Sequence, residues 1–182
     1  MEDVHPRISR QSHGERTDRL PGRTDDGARF GVELASVVSG ARRRATRDGD
    51  RQVDTAHLLH SLLEHDPEVC AVLDDGPRVA RLLGYLVQRS IGYGLRWQGS
   101  VEDSGAVPVA TDAAGFSPLA AAAMADALAR AGRRDGARAR GVDLLAAIVA
   151  DPQARAVEVL TRAGIDRRTV TARIDSRLER RT

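Results

Sequence analysis

The feature that most constrains this chain is that its apolar pattern is written twice. Phe30 and Phe116 lie 86 residues apart, and the same offset carries Leu34 onto Ala120, Val37 onto Ala123, Val38 onto Met124 and Ala41 onto Ala127. Further along, Leu58-Leu59 meets Leu144-Leu145 and Leu62-Leu63 meets Ile148-Val149. The turns Asp66-Pro67 and Asp151-Pro152 then stand 85 apart, so the register slips by one residue at a loop. A unit repeated in this way can bury its apolar face against its own copy, and the seam between copies is a natural place for a ligand.

Composition says what the unit is made of. Aromatic residues are 3% of the 182-residue chain, so the core must be built from Ala, Leu and Val, which favours packed helices. All 28 basic residues are arginine. Without lysine there is no Schiff-base amine, no lysine general base and no P-loop. The single cysteine, Cys70, cannot form an internal disulfide, which suits a reducing compartment. No apolar run approaches the roughly 20 residues of a membrane span, and the polar start is unlike a secretory signal. A cytoplasmic protein with no membrane contact is expected.

Residues 1–28 mix charge with Pro, Gly and Ser and are expected to form a loosely ordered basic tail. The first repeat, 29–90, should hold four helices. Phe30, Leu34, Val37, Val38 and Ala41 share one face, followed by Arg42, Arg43, Arg44 and Arg47 at the end favoured by the helix dipole. Asp48-Gly49-Asp50 stops that helix. Thr55 is the expected N-cap of the second, which carries Leu58, Leu59, Leu62 and Leu63. A short third helix holds Val69, Val72 and Leu73, and a fourth runs from about Arg78 to Arg89. Residues 91–115 form a Gly-rich linker with Tyr93, Trp97 and Pro108. The second repeat, 116–182, opens with a helix capped by Ser117 with Pro118 at its first position. Helices over Val142–Ala150 and Gln153–Ala163 follow, the latter closed by Gly164. Asp166 caps the last, with Val170, Ile174 and Leu178 on one face. The fold class is all-α: two pseudo-twofold repeats of about four helices each.

The chain resembles the N-terminal domain of Clp-type AAA+ unfoldases, nearest the ClpC and ClpA branch. Each repeat of that family opens with Phe-Thr and starts its second helix with Gly-Thr-Glu-His-Leu-Leu. Here Phe30-Gly31 is followed at the family's spacing by Asp54-Thr55-Ala56-His57-Leu58-Leu59. Gly115-Phe116-Ser117-Pro118 looks like the family's Pro-Phe-Thr-Pro, and Gly141-Val142-Asp143 stands where Thr-Glu-His would be. Val159-Leu160 and Ala163-Gly164-Ile165-Asp166 resemble the family's ending. The resemblance implies a non-catalytic binding domain that recruits adaptors or substrates to an unfoldase. It implies Clp protease components or their substrates as partners, with a peptide or cyclic peptide antibiotic as ligand and no cofactor. A free-standing copy would act as an adaptor that regulates proteolysis, or as a decoy that sequesters ligands of the ClpC N-domain.

The resemblance also implies sites. Some ClpC-like domains hold phosphoarginine through the Thr after the opening Phe and the Glu of Thr-Glu-His. By position these fall on Gly31 with Ala56 and on Ser117 with Val142, so no acidic partner for a guanidinium survives. Phosphoarginine recognition is expected to be weak or lost, and the seam to present an apolar surface. Cyclic peptides settle in the family near the second opening Phe, which makes Phe30, Gly31, Phe116, Ser117, Ala121 and Ala125 the candidate binding surface. His57, His60 and Glu64 share a helix face that could ligate a metal, but a fourth ligand is absent and none is expected. Asp54 beside His57 has no nucleophile to serve, so no enzyme is expected. The alternative is a nucleic-acid-binding regulator using the Arg-rich stretch Arg162 to Arg181, where Arg167-Arg168-Thr169-Val170-Thr171 could serve as a recognition helix. Asp166, Asp175 and Glu179 interleave with those arginines, which is more typical of a solvated salt-bridged face.

Overall fold

Phase-matched apolar faces need partners, and the computed structural model supplies them from the other repeat. It describes residues 30–73, 76–90, 101–102, 115–134 and 138–180. The expected tail and most of the linker, with Tyr93, Trp97 and Pro108, lie outside the described residues. Those residues form eight helices and no strand: α1 (Val32–Asp48), α2 (Thr55–His65), α3 (Pro67–Leu73), α4 (Pro77–Ser90), α5 (Pro118–Gly132), α6 (Gly141–Ala150), α7 (Arg155–Arg162) and α8 (Arg167–Glu179).

The duplication is visible in how the backbone pairs. Two isolated parallel bridges occur, Phe30 with Ala139 and Val53 with Phe116. Shifting one by 86 residues and exchanging its sides gives the other. The hydrogen bonds obey the same exchange: Gly31 N–H donates to Ala139 O at 2.9 Å, and Ser117 N–H donates to Val53 O at 2.8 Å. Each repeat's opening Phe segment is therefore paired with the entry to the other repeat's second helix.

Those second helices form the centre. Thr55 through Leu63 are all buried in α2, and α6 is buried except at Ala146 and Ala150. A helix enclosed on all sides shows a continuous apolar or small-residue run, without one clear stripe. α2 packs on α1, α3, α4, α5, α6 and α7, while α6 packs on α5, α7, α8, α1, α2 and α3. The two sets interconvert when the repeats are exchanged. Leu58, Leu59, Leu62, Leu144 and Leu145 are fully buried along this axis, and each contributes about 1.5–3 kcal/mol.

Helix ends follow local chemistry. Gly49 ends α1 at φ 73°, and Gly164 turns the chain after α7 at φ 79°. Ser117 caps α5 by accepting from Ala120 N–H at 3.2 Å, and Asp166 caps α8 by accepting from Thr169 N–H at 3.0 Å. The cap of α2 differs from expectation. Asp54 is its N-cap, accepting from His57 N–H at 2.9 Å, and Thr55 is the first helical residue. This releases the Thr55 hydroxyl for contacts across the seam.

Candidate functional site

At the seam, the start of α2 meets the start of α7 with Ser117 beside them, and Glu102 from the inter-repeat segment fills the junction. Its carboxylate is buried, 4% exposed. One oxygen accepts from Thr55 N–H at 2.9 Å and from the Ser117 hydroxyl at 2.7 Å. The other accepts from Arg155 N–H at 2.7 Å and from the Thr55 hydroxyl in a short bond. Thr55 Oγ1 in turn accepts from Ala156 N–H at 3.1 Å. The otherwise unsatisfied N–H groups of two helix starts are thus served by one carboxylate, where the helix dipoles also favour negative charge.

A second carboxylate lies one residue away. Asp54 Oδ2 accepts from Arg155 Nη1 at 2.8 Å and from Arg89 in a shorter bond, tying α2 to α7 and α4. Burial raises the Asp54 pKa, but the hydrogen bonds with His57 and Arg155 and the charge of Arg89 outweigh it. The carboxyl is held well below the usual carboxylate range. The related seam, where α6 meets α3, is built differently. Gly141 takes the place of Thr55, and an added Cβ there would stand 2.9 Å from Leu62 Cδ2 and 2.8 Å from the Asp66 carboxyl carbon. Asp66 itself caps α3, accepting from Glu68 N–H at 2.9 Å and Val69 N–H at 3.1 Å. The Thr-Glu-His pattern is lost where there is no room for a threonine.

Beside the Glu102 junction a cleft of about 350 Å³ opens between α5 and the end of α6. Leu119, Ala122, Ile148 and Pro152 give it an apolar lining, Asp126 and Asp151 add carboxylates, and Thr55 joins it to the network. Asp126 also pairs with Arg130 at 2.7 Å, and Asp151 accepts from Gln153 N–H at 2.8 Å.

The residues singled out from sequence fall on both sides of this arrangement. Phe116 is half-buried with the Arg42 guanidinium over its ring at 4.9 Å, a cation–π contact. Phe30 and Gly31 are committed to the bridge with Ala139, and Ser117 to Glu102 and the α5 cap. Ala121 is buried and Ala125 exposed, so the cleft runs along the neighbouring Ala122–Asp126 face of the same helix. Ala56 and Val142 are buried at 0% and 2% exposure and offer no side chain to a ligand. The seam is not uniformly apolar, because the chain brings Glu102, Asp54, Arg89 and Arg155 into it. Asp54 and Arg155 stand beside helix starts in the sequence, but nothing local marks Glu102, which lies in a Gly-rich stretch.

The helix-face group of His57, His60 and Glu64 does not converge. Among the described residues, the group close enough to share an ion is instead Asp48, Asp50 and His57. Glu64 pairs with Arg44, whose hydrogen bond and charge lower its pKa against the opposing effect of burial. His60 is buried; desolvation, helped by the Arg44 charge, lowers its pKa to about 4. The C-terminal arginines also have internal work. Arg173 donates to Val72 O at 3.2 Å, Arg177 to Ala71 O at 2.9 Å and Arg167 to Val149 O at 3.2 Å. They close the carbonyl ends of α3 and α6.

No protein-family model matches the chain, and no curated protein sequence matches it. Solved structures do. One, from a malarial protein secretion system, aligns with TM-score 0.60 at 14% identity over 83% of this chain and 95% of its own. Another is the N-terminal domain of the caseinolytic-protease-associated chaperone ClpD from Arabidopsis thaliana, with TM-score 0.59 at 20% identity over 83% of this chain and 98% of its own. The chain therefore has the all-helical fold of a Clp N-domain. No helix among the described residues is long and apolar enough to cross a membrane.

Proposed function

We propose that this chain is a non-catalytic, Clp-related recognition domain that holds peptide segments in the cleft between α5 and α6. The observation that carries the reading is the cleft itself: an apolar lining of Leu119, Ala122, Ile148 and Pro152 beside the carboxylates of Asp126 and Asp151. That chemistry suits an apolar side chain with an arginine or lysine next to it. No Gly-x-x-x-x-Gly-Lys-Ser/Thr loop occurs in these 182 residues, so ATP hydrolysis by the Clp mechanism does not belong to them. The Clp N-domain fold supports partners among Clp protease and unfoldase components or their substrates. As an adaptor the domain brings a substrate to the unfoldase and regulates proteolysis. As a decoy it sequesters peptides or cyclic peptide antibiotics aimed at the ClpC N-domain.

The test is a fluorescence titration of the full chain with an apolar-basic peptide, a phosphoarginine peptide and a ClpC-directed cyclic peptide. Ala122→Trp, which fills the cleft, is expected to weaken the apolar-basic peptide at least ten-fold. Phe116→Ala probes the cyclic peptide, and phosphoarginine is expected to add little. Failure of the wild-type chain to bind any of the three, or unchanged peptide affinity in Ala122→Trp, would sink the reading. Competition between the cyclic peptide and a ClpC N-domain separates decoy from adaptor.

A further inference from the structure

We propose that the turn joining α1 to α2 holds a divalent transition-metal ion between the carboxylates of Asp48 and Asp50 and the imidazole Nε2 of His57. The placement is made by the helix ending. Asp48 is the last residue of α1, Gly49 reverses the chain at φ 73°, and Asp50 returns toward the same side. One ligand atom from each of the three residues lies within 4.8 Å of the other two. His57 Nε2 stands 3.2 Å from Asp50 Oδ2 and 3.6 Å from Asp48 Oδ2. Two ligands each about 2.0–2.1 Å from a tetrahedral ion are roughly 3.3 Å apart, so these separations match ligand pairs around one metal.

His57 supplies an independent pointer. Its side chain is 1% exposed, and Nε2 makes no hydrogen bond although it faces both carboxylates. A buried polar atom without a partner is costly, and a cation that replaces the proton on Nε2 removes the cost. The other ring nitrogen is already provided for. Asp54 N–H lies 3.1 Å from Nδ1 and donates to it, which puts the proton of a neutral ring on Nε2. Asp54 Oδ1 lies 2.8 Å from the same nitrogen. When a metal takes Nε2, that proton passes to solvent and Nδ1 takes one from solvent; Nδ1 then donates to Asp54 Oδ1 in place of accepting from Asp54 N–H, and the ring stays neutral. Arg89 and Arg155 keep the Asp54 carboxylate in place for this role. A carboxylate behind a histidine behind a metal is the usual outer support of such ligands.

Asp50 is about one-third exposed at 35%, which gives an ion a way in and leaves positions for water, while Asp48 at 6% forms the inner wall. One imidazole and two carboxylates suit zinc, manganese or cobalt better than magnesium or calcium, which prefer all-oxygen sets. Arg89 Nη2 also lies 3.0 Å from Asp50 Oδ2, so the metal shares that carboxylate with a guanidinium.

The experiment is calorimetric titration of the full chain with Zn²⁺ in a non-chelating buffer, alongside ring-nitrogen NMR of His57. The expected result is one equivalent bound, a ten-fold or greater loss of affinity in both Asp48→Asn and Asp50→Asn, and a shift of His57 from the Nε2–H to the Nδ1–H form. Absence of binding at millimolar Zn²⁺ overturns the proposal. So does wild-type affinity in Asp50→Asn, because the ion then sits on other histidines. Asp50 is the most exposed ligand, so its variant carries the test even where Asp48→Asn does not fold.

Discussion

His60 shows how a single side chain can set the acid tolerance of this fold. His60 stands three residues after His57 on α2, yet the balance of charge around the two rings differs. His57 faces Asp48, Asp50 and Asp54, whereas His60 is desolvated beside Arg44, with its pKa lowered to about 4. The unfolded chain takes up this proton near the ordinary histidine pKa of about 6.5, and the folded chain only near 4. The contribution is therefore fully present above about pH 6.5 and lost as pH falls toward 4. A shift from 6.5 to about 4 corresponds to roughly 3 kcal/mol at about 1.4 kcal/mol per pH unit. Urea melts of His60→Gln are expected to show a flatter stability profile between pH 7 and 4 than wild type; an identical slope would contradict the assignment. Asp54, with its lowered pKa, adds a further loss as pH falls through the ordinary carboxylate range, where the unfolded chain takes up a proton that the folded carboxyl does not.

At the scale of elements, two glycines set how closely the helices approach. A Cβ at Gly40 in α1 would overlap the Ser61 hydroxyl of α2 and stand 3.1 Å from His65 Cε1. A Cβ at Gly141 would press on Leu62 and the Asp66 carboxylate where α6 crosses α2 and α3. Overpacking of this kind costs about 1–3 kcal/mol, against the roughly 1 kcal/mol that an alanine gains in helix propensity. Gly40→Ala and Gly141→Ala are each expected to lower the thermal midpoint by several degrees. Ser61→Ala should restore part of the loss in Gly40→Ala and none in Gly141→Ala. Rescue of neither, or of both alike, would show that contact with Ser61 is not the cause. The helix faces themselves were legible in sequence: Leu34, Val37 and Ala41 are buried on α1 as their spacing predicts, as are Val170 and Ile174 on α8. Both glycines sit in ordinary helical stretches, and only the neighbouring helix makes them necessary.

At the scale of the whole molecule, the reciprocal bridges and the Glu102 junction join the repeats into one unit. Glu102 accepts from Thr55 twice, from Ser117 and from the backbone of Arg155. Glu102→Ala leaves those donors buried without an acceptor, at a cost of about 3–5 kcal/mol. Glu102→Gln keeps one acceptor oxygen and should cost about half as much. In denaturant melts both variants are expected to keep one transition reported alike by probes in the two repeats, because α2 and α6 share a single core. Loss of stability confined to one repeat would contradict that coupling.

Duplication, helical periodicity and the caps at Ser117, Gly164 and Asp166 could be read without coordinates, because they are local or depend on a repeat in register. The same register related Phe30 to Phe116, and the structure turned that relation into two exchanged bridges. The cleft, the Glu102 junction and the Asp48–Asp50–His57 cluster could not be read this way. Their members come from separate segments, and a residue's spacing along the chain carries no record of what lies across a seam. Packing decided which carboxylates are buried and which donors they meet, and with that the chemistry available to the site.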